Sequence, residues 1–146
     1  MSLAYNSQNS FAVIGSKSGT TLTSVALTAS YDVANKTKIF ETAGFSKVNF
    51  DVLYTMGATE TANSIELRID QSSDGTNFYR IPNESVSGGT STLTVREFTF
   101  VGADAAAATI SIGLDIFYKF VRISAKESGK ATNFGTVYVE ATLSGR

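Results

Sequence analysis

The side chains of this sequence with the strongest claim to catalytic chemistry are carboxylates, because the chain contains neither histidine nor cysteine. Their absence removes Ser-His-Asp triads, cysteine nucleophiles and zinc sites of the usual ligands. Two carboxylates are sufficient for glycoside hydrolysis. The candidate acids are Asp51, Glu66, Asp70, Glu97, Asp115 and Glu140. Most alternate with apolar neighbours, which places them on the wet face of a strand. We therefore predict no catalytic residue and a protein that is not an enzyme.

A second candidate is a calcium loop, because residues 70–75 (DQSSDG) have oxygen ligands and a glycine spaced as in the first half of an EF-hand. The match fails at position twelve, where Ile81 replaces the required glutamate. A hairpin turn accounts for the same residues, since Asp-Gly between alternating runs is a strong hairpin signal. The pair Gly88-Gly89 is not followed by a lysine, so it is no phosphate loop. We predict no metal site and no cofactor.

The tyrosines raise an alternative from another class of function, a carbohydrate-binding module with stacking platforms. They are Tyr5, Tyr31, Tyr54, Tyr79, Tyr118 and Tyr138. The chain has no tryptophan, which is the usual platform residue. Most of the tyrosines flank core positions, so we expect half-buried rings whose hydroxyl groups reach water.

Length and composition favour one domain that binds neither nucleic acid nor membrane. A chain of 146 residues with 42% hydrophobic residues is enough for a single core. The net charge is −1 and the basic residues are scattered, unlike the clustered basic face of a nucleic-acid binder. The first residues lack the basic and apolar regions of a signal peptide. No apolar run approaches the roughly 20 residues that span a bilayer.

Alternation with a period of two dominates residues 47–81 and predicts two long strands with one buried face each. The inward residues are Val48, Phe50, Val52, Tyr54 and Met56, then Ile65, Leu67 and Ile69. Further strands are expected at 25–33, 37–40, 93–101, 109–114, 117–125 and 135–143, with a loop or a single turn at 102–108. Short strands at regular intervals without a convincing helix predict an all-β fold, an antiparallel β-sandwich or jelly roll.

One connection and one strand need a separate interpretation. Residues 83–92 are polar and contain Gly88-Gly89, so we predict a flexible connection there. In 93–101 the apolar phase slips between Val95 and Phe98. One extra residue in a strand would produce that slip, so we predict a β-bulge near Arg96-Glu97.

The chain divides into an N-terminal segment, residues 1–24, and a β-sandwich domain, residues 25–146. The segment is polar around one apolar group, residues 11–14 (FAVI). It can be a loose terminus with one edge strand, as chain ends commonly are. It can also be an extended arm that docks on a neighbouring subunit, in which case Phe11, Val13 and Ile14 contact the partner.

Three stretches, 71–82 (QSSDGTNFYRIP), 118–129 (YKFVRISAKESG) and 135–143 (GTVYVEATL), give the chain a resemblance to small β-sandwich virion proteins of tailed bacteriophages. The resemblance implies a head decoration (cement) protein, assembled in the host cytoplasm, that binds the major capsid protein as a homo-oligomer, with a trimer favoured. A tail or neck component is the alternative within this class. The resemblance implies no catalytic, metal-binding or cofactor-binding residue. Symmetric assembly would also protect exposed sheet edges.

Overall fold

The computed structural model describes residues 9–31, 37–42, 44–80, 82–95, 97–101, 107–130 and 132–145. Their secondary structure is β1 (Asn9–Ile14), β2 (Ser16–Ser18), β3 (Thr21–Thr23), β4 (Val25–Ala26), β5 (Thr37–Glu41), β6 (Lys47–Thr55), β7 (Ser64–Ser72), β8 (Tyr79–Arg80), β9 (Pro82–Ser87), β10 (Thr90–Val95), β11 (Glu97–Val101), β12 (Ala107–Asp115), β13 (Phe120–Ser128) and β14 (Thr136–Ser144). None of the described residues forms a helix long and apolar enough to cross a membrane.

Eight of these strands form two antiparallel sheets that face each other. Sheet 1 has the order β1-β14-β6-β12, and sheet 2 has the order β11-β7-β13-β5; the short strands β4 and β8 attach to β14 and β7. Counted along the chain, the first of the eight pairs with the last, the second with the seventh, the third with the sixth and the fourth with the fifth. This nested pairing is that of a jelly roll. The predicted all-β antiparallel sandwich is confirmed.

The core lies between the two sheets and is filled by the residues that the period of two predicted. All eight residues predicted to face inward are buried: seven lie on β6 and β7, and Met56 directly follows β6. Phe40, on β5 of sheet 2, joins the sheets because its ring meets the Phe50 ring of sheet 1 edge-on, with centroids 6.1 Å apart. Such aromatic contacts add stabilisation beyond the buried area.

The turn between β7 and β8 is longer than the tight hairpin predicted from Asp-Gly. Gln71 lies opposite Tyr79 in the register, so residues 73–78 separate the two strands. The Asp74 carboxylate accepts hydrogen bonds from the backbone N–H groups of Asn77 and Thr76, each 2.8 Å long. These bonds favour the charged form and hold the pKa of Asp74 well below its usual range. Of the oxygen atoms that suggested a calcium loop, those of Ser72 and Asp74 therefore stabilise the turn.

Gly75 at this turn provides a test of the local structure. It has φ of +77°, and a Cβ there would lie 3.4 Å from the Phe120 ring. We expect Gly75→Val to lower the free energy of unfolding by about 1–3 kcal/mol, because a β-branched residue adopts positive φ at a high cost. Urea denaturation measures this. The control is Thr76→Val, at an exposed position of the same turn where φ is not positive, which should be neutral; an equal loss in both variants would contradict the explanation.

Two sequence-based expectations on the connection to β11 are wrong. Residues 83–92 are not a flexible connection, because β9 and β10 form an antiparallel hairpin. Gly88 and Gly89, with φ of +57° and +78°, supply the two positive φ angles that a type I′ turn requires. The phase slip is not a bulge either. Val95 ends β10, which pairs with β9, and Glu97 begins β11, which pairs with β7 of sheet 2.

Two further strand boundaries differ from the expectation. Within 25–31 only Val25–Ala26 is a strand. Leu27 N donates to Gly135 O and Thr28 O accepts from Glu127 N, both at 2.9 Å, so this segment crosses from sheet 1 to sheet 2. The strand expected at 117–125 begins at Phe120. Most of the loop or turn expected at 102–108 lies outside the described residues, as do residues 32 and 33.

Candidate functional site

The three residues predicted to contact a partner lie in the core of their own chain. β1 pairs with β14 at the edge of sheet 1, and a shift in register between Ala12 and Ile14 turns two consecutive side chains inward. Val13 and Ile14 are consequently only 7% and 1% exposed. Phe11 packs against the core with its ring edge-on to Phe40, 5.2 Å between centroids. Residues 9–14 are thus an edge strand here, and contact of these residues with another subunit stays a prediction.

A different part of the chain exposes large apolar side chains, the loop between β12 and β13. Phe117 is 78% exposed and Tyr118 is 48% exposed, whereas their neighbour Ile116 packs against the core. Single exposed apolar residues are normal on protein surfaces, whereas contiguous exposed apolar area is typical of interaction sites. We therefore take residues 116–119, called the aromatic loop below, as the candidate functional site.

A buried glutamine fixes the backbone of the aromatic loop. Gln71 lies at the end of β7 and is buried between the sheets. Its Oε1 accepts hydrogen bonds from Phe117 N (2.9 Å) and Tyr118 N (3.2 Å), and its Nε2 donates to Asp115 O (3.2 Å). Gln71 thus ties the backbone of the loop to β7 of sheet 2, while the side chains of Phe117 and Tyr118 stay exposed.

A second buried polar side chain holds the other end of the loop. Thr42, which follows β5, donates from its backbone N–H to Lys119 O (2.9 Å), and its Oγ1 donates to Tyr118 O (3.2 Å) and Lys119 O (3.0 Å). Beside it lies a groove of about 490 Å³, lined by the loop and by Glu41, Thr42, Gly44 and Phe45. That volume falls within the roughly 300–1,000 Å³ of typical ligand sites.

A third exposed ring lies close to this loop. Tyr79 on β8 is 64% exposed and stands opposite Gln71 in the register, next to the residue that binds the loop backbone. Tyr31, Tyr54 and Tyr138 are buried, whereas Tyr79 and Tyr118 are not. Tyr118 is about half exposed, as expected. The expectation fails for Tyr79, which is mostly in solvent, and for the buried tyrosines such as Tyr54, whose hydroxyl donates to Glu127 and not to water. Tyr5 lies outside the described residues.

Two of the candidate carboxylates, Asp51 and Glu140, stand opposite each other on the outer face of sheet 1. Asp51 Oδ1 accepts from Asn49 Nδ2 (2.9 Å) and Ser111 Oγ (3.0 Å). Glu140 Oε2 accepts from the Tyr138 hydroxyl at 2.9 Å, and burial together with this hydrogen bond raises the pKa of Tyr138 to about 12. The groove beside this pair measures only about 180 Å³, below the size of typical ligand sites.

Two of the remaining acids, Asp70 and Glu66, take part in side-chain contacts of the folded chain. Asp70 forms an ion pair with Arg122 (2.7 Å), and Asp115 is exposed at the end of β12. Glu66 accepts a hydrogen bond of 2.6 Å from Ser128 Oγ, which lowers the pKa of Glu66. The side chain of Glu97 lies outside the described part. Across the described ranges, no group of three or more His, Cys, Asp or Glu residues could hold a metal ion.

Sequence reasoning missed the aromatic loop, although the pattern contains a signal for it. On β13 the side chains of Val121, Ile123 and Ala125 face the core. The same alternation would place the side chain of Lys119 inward as well. A lysine at an inward position indicates that the strand begins after it. Phe117 and Tyr118 then fall in the preceding loop.

Comparison with known proteins shows no family for this chain. No protein-family model matches it, and no curated protein matches it significantly. Among solved structures it is similar to dimeric latent PorU from Porphyromonas gingivalis, with a TM-score of 0.49 and 12% sequence identity. The match covers 97% of this chain and 13% of that chain. A likeness of this size carries no argument about function.

Proposed function

We propose that this protein is a non-enzymatic structural protein of a bacteriophage virion, a head decoration protein that binds the major capsid protein as a homo-oligomer. The observation that carries the proposal is the pair of exposed rings, Phe117 and Tyr118, on a loop whose backbone is fixed by Gln71 and Thr42. The resemblance seen in the sequence supplies the virion context. The fold alone does not decide the function.

The fixed backbone matters for affinity. Aromatic side chains dominate the energetics of protein–protein contacts. Ordering a flexible loop on binding costs free energy, and a loop already held in place avoids that cost. Gln71 and Thr42 form their hydrogen bonds within the chain, so the aromatic loop meets its partner in a fixed conformation.

The groove supports a second candidate function, carbohydrate binding. Sugar rings stack on aromatic faces, and their hydroxyl groups need hydrogen-bond partners. Exposed Glu41 and Lys119, whose charged groups lie 3.3 Å apart at the groove, could supply them beside Tyr118. Jelly rolls occur in both viral capsid and lectin domains, so the fold is compatible with either candidate.

Replacing both rings tests the proposal. We expect F117S/Y118S to weaken binding to heads assembled from the major capsid protein of the same genome by at least about 30-fold, the effect of losing one strong contact residue. Cosedimentation with purified heads measures binding, and circular dichroism checks folding. Both side chains are exposed, so the fold should be unchanged.

The matched control is Val86→Ser, at a residue 69% exposed on the β9–β10 hairpin, which should bind heads normally. Unchanged head binding by F117S/Y118S would contradict the proposal. A glycan array gives the rival outcome: if the unsubstituted protein binds a sugar and F117S/Y118S does not, the groove is a carbohydrate site.

A further inference from the structure

The free edge of sheet 1 is formed by β12, a strand of nine residues. Its inner neighbour is β6, and among the described strands none pairs with its other edge. The backbone N–H and C=O groups along that edge form a template for another strand. The edge strands of sheet 2, β5 and β11, have five residues each. β12 is therefore the longer template.

The sequence of β12 lacks the usual protection of an edge strand. Native edges commonly carry lysine, proline or inward charges that prevent uncontrolled pairing. In β12 (AATISIGLD) the only charged residue is Asp115 at the end, and there is no proline. Ile112 and Leu114 face the core, and Ile110 packs against it, while Thr109, Ser111 and Gly113 face outward and are exposed.

We propose that this edge pairs with β12 of a second copy of the chain, antiparallel about a two-fold axis at Ser111. In that register Ile110 stands opposite Ile112 of the partner subunit, and Thr109 stands opposite Gly113 of the partner subunit. Inward residues meet inward residues and outward residues meet outward ones, as continuous sheets require. The two copies of sheet 1 become one sheet with a shared core layer.

A second copy fits this edge because the pattern is self-complementary. The outward row contains no charge, so two copies meet without repulsion across the axis. A two-fold contact uses the same edge on both subunits and is then closed, which leaves no free β12 edge for a third copy. The inference rests on the homo-oligomer part of the proposed function and predicts a dimer, whereas the resemblance implied a trimer.

Charges placed on the outward row test the pairing. We expect the unsubstituted protein to sediment as a dimer and T109K/G113K as a monomer, because each introduced lysine would face another across the axis. The position at Gly113 accepts a side chain, since a Cβ there has only Asn49 Oδ1 within 4 Å, at 3.8 Å. In T109K/G113E each introduced ammonium would face an introduced carboxylate, so this variant should dimerise. Sedimentation velocity measures the oligomer, and circular dichroism checks the fold.

A monomeric unsubstituted protein, or a T109K/G113K variant that stays dimeric, would overturn the inference. Loss of dimer in T109K/G113E as well would show that bulk, not pairing, is responsible. The outcome is independent of the aromatic loop: F117S/Y118S should remain a dimer whether or not it binds heads. Failure of dimerisation and failure of head binding are therefore separate results.

Discussion

Replacing Asp70 with alanine is expected to lower the free energy of unfolding by about 3 kcal/mol, the lower end of the usual cost of removing one partner of a buried ion pair, because its arginine partners are partly exposed. Asp70 on β7 is 0% exposed, and its Oδ2 accepts from Arg122 Nη2 (2.7 Å) and Nε (3.0 Å). Arg68 Nε lies 3.6 Å from the same oxygen, and Arg80 Nε lies 4.0 Å from Oδ1. Without the carboxylate, three guanidinium groups would repel one another across the face of sheet 2.

Equilibrium denaturation in urea measures this effect. Glu41→Gln is the matched control, because it removes a carboxylate from the exposed pair with Lys119, and exposed pairs contribute roughly 0–1 kcal/mol. If Asp70→Ala costs no more than Glu41→Gln, the arginines are stabilised by solvent and the ion pair is not needed for the fold.

The second large effect is expected at Glu127, a carboxylate that is 1% exposed at one end of the sandwich. Its Oε1 accepts from the Tyr54 hydroxyl and from Asn63 Nδ2 (3.2 Å), and its Oε2 accepts from Gly135 N (2.7 Å). Glu127→Ala would leave the Tyr54 hydroxyl and Gly135 N without an acceptor, at about 1–3 kcal/mol each, whereas Asn63 Nδ2 keeps its bond to Asn133 O (3.2 Å). We expect a total loss of about 2–6 kcal/mol in the free energy of unfolding.

Glu66→Ala on the neighbouring strand is the control, because that carboxylate lies on the outer face and its loss should cost about 1 kcal/mol.

A spectroscopic measurement distinguishes the hydrogen-bond network of Glu127 from simple packing. Burial raises the pKa of Tyr54 far above its ordinary value, and the hydrogen bond to Glu127 raises it further. In Glu127→Gln the Tyr54 pKa should fall, as measured by absorbance at alkaline pH. An unchanged titration together with a small stability loss would rule out the network.

The inward residues of β6 and β7 could be predicted because period-two alternation is a local property of the sequence. Phe50 and Leu67 needed no information from elsewhere in the chain. The β9–β10 hairpin was predictable too, since Gly88-Gly89 is a hairpin turn signal, but the polar residues around it favoured a loop. The change of sheet between Val95 and Glu97 could not be predicted, because a β-bulge produces the same slip in the apolar pattern.

The candidate site was beyond local reasoning for a different reason. Gln71 looks like one more polar strand residue, and its role depends on Phe117 and Tyr118, which lie 46 and 47 positions away. The apolar group Phe11–Ile14 drew attention instead, because apolar residues in a polar segment suggest a partner. Its actual place beside β14 follows from a pairing across almost the whole chain.

The nesting of the eight strands also constrains how the chain acquires its structure. β14 lies between β1 and β6 in sheet 1, so β1 has no neighbour in this sheet order, and β6 has only β12, until the segment Thr136–Ser144 has left the ribosome. Pairings this distant make folding slow, because the loop-closure entropy is lost before the contacts form. During synthesis β1 is therefore unpaired and β6 is paired on one side only, and such unpaired strand edges favour aggregation until β14 is made.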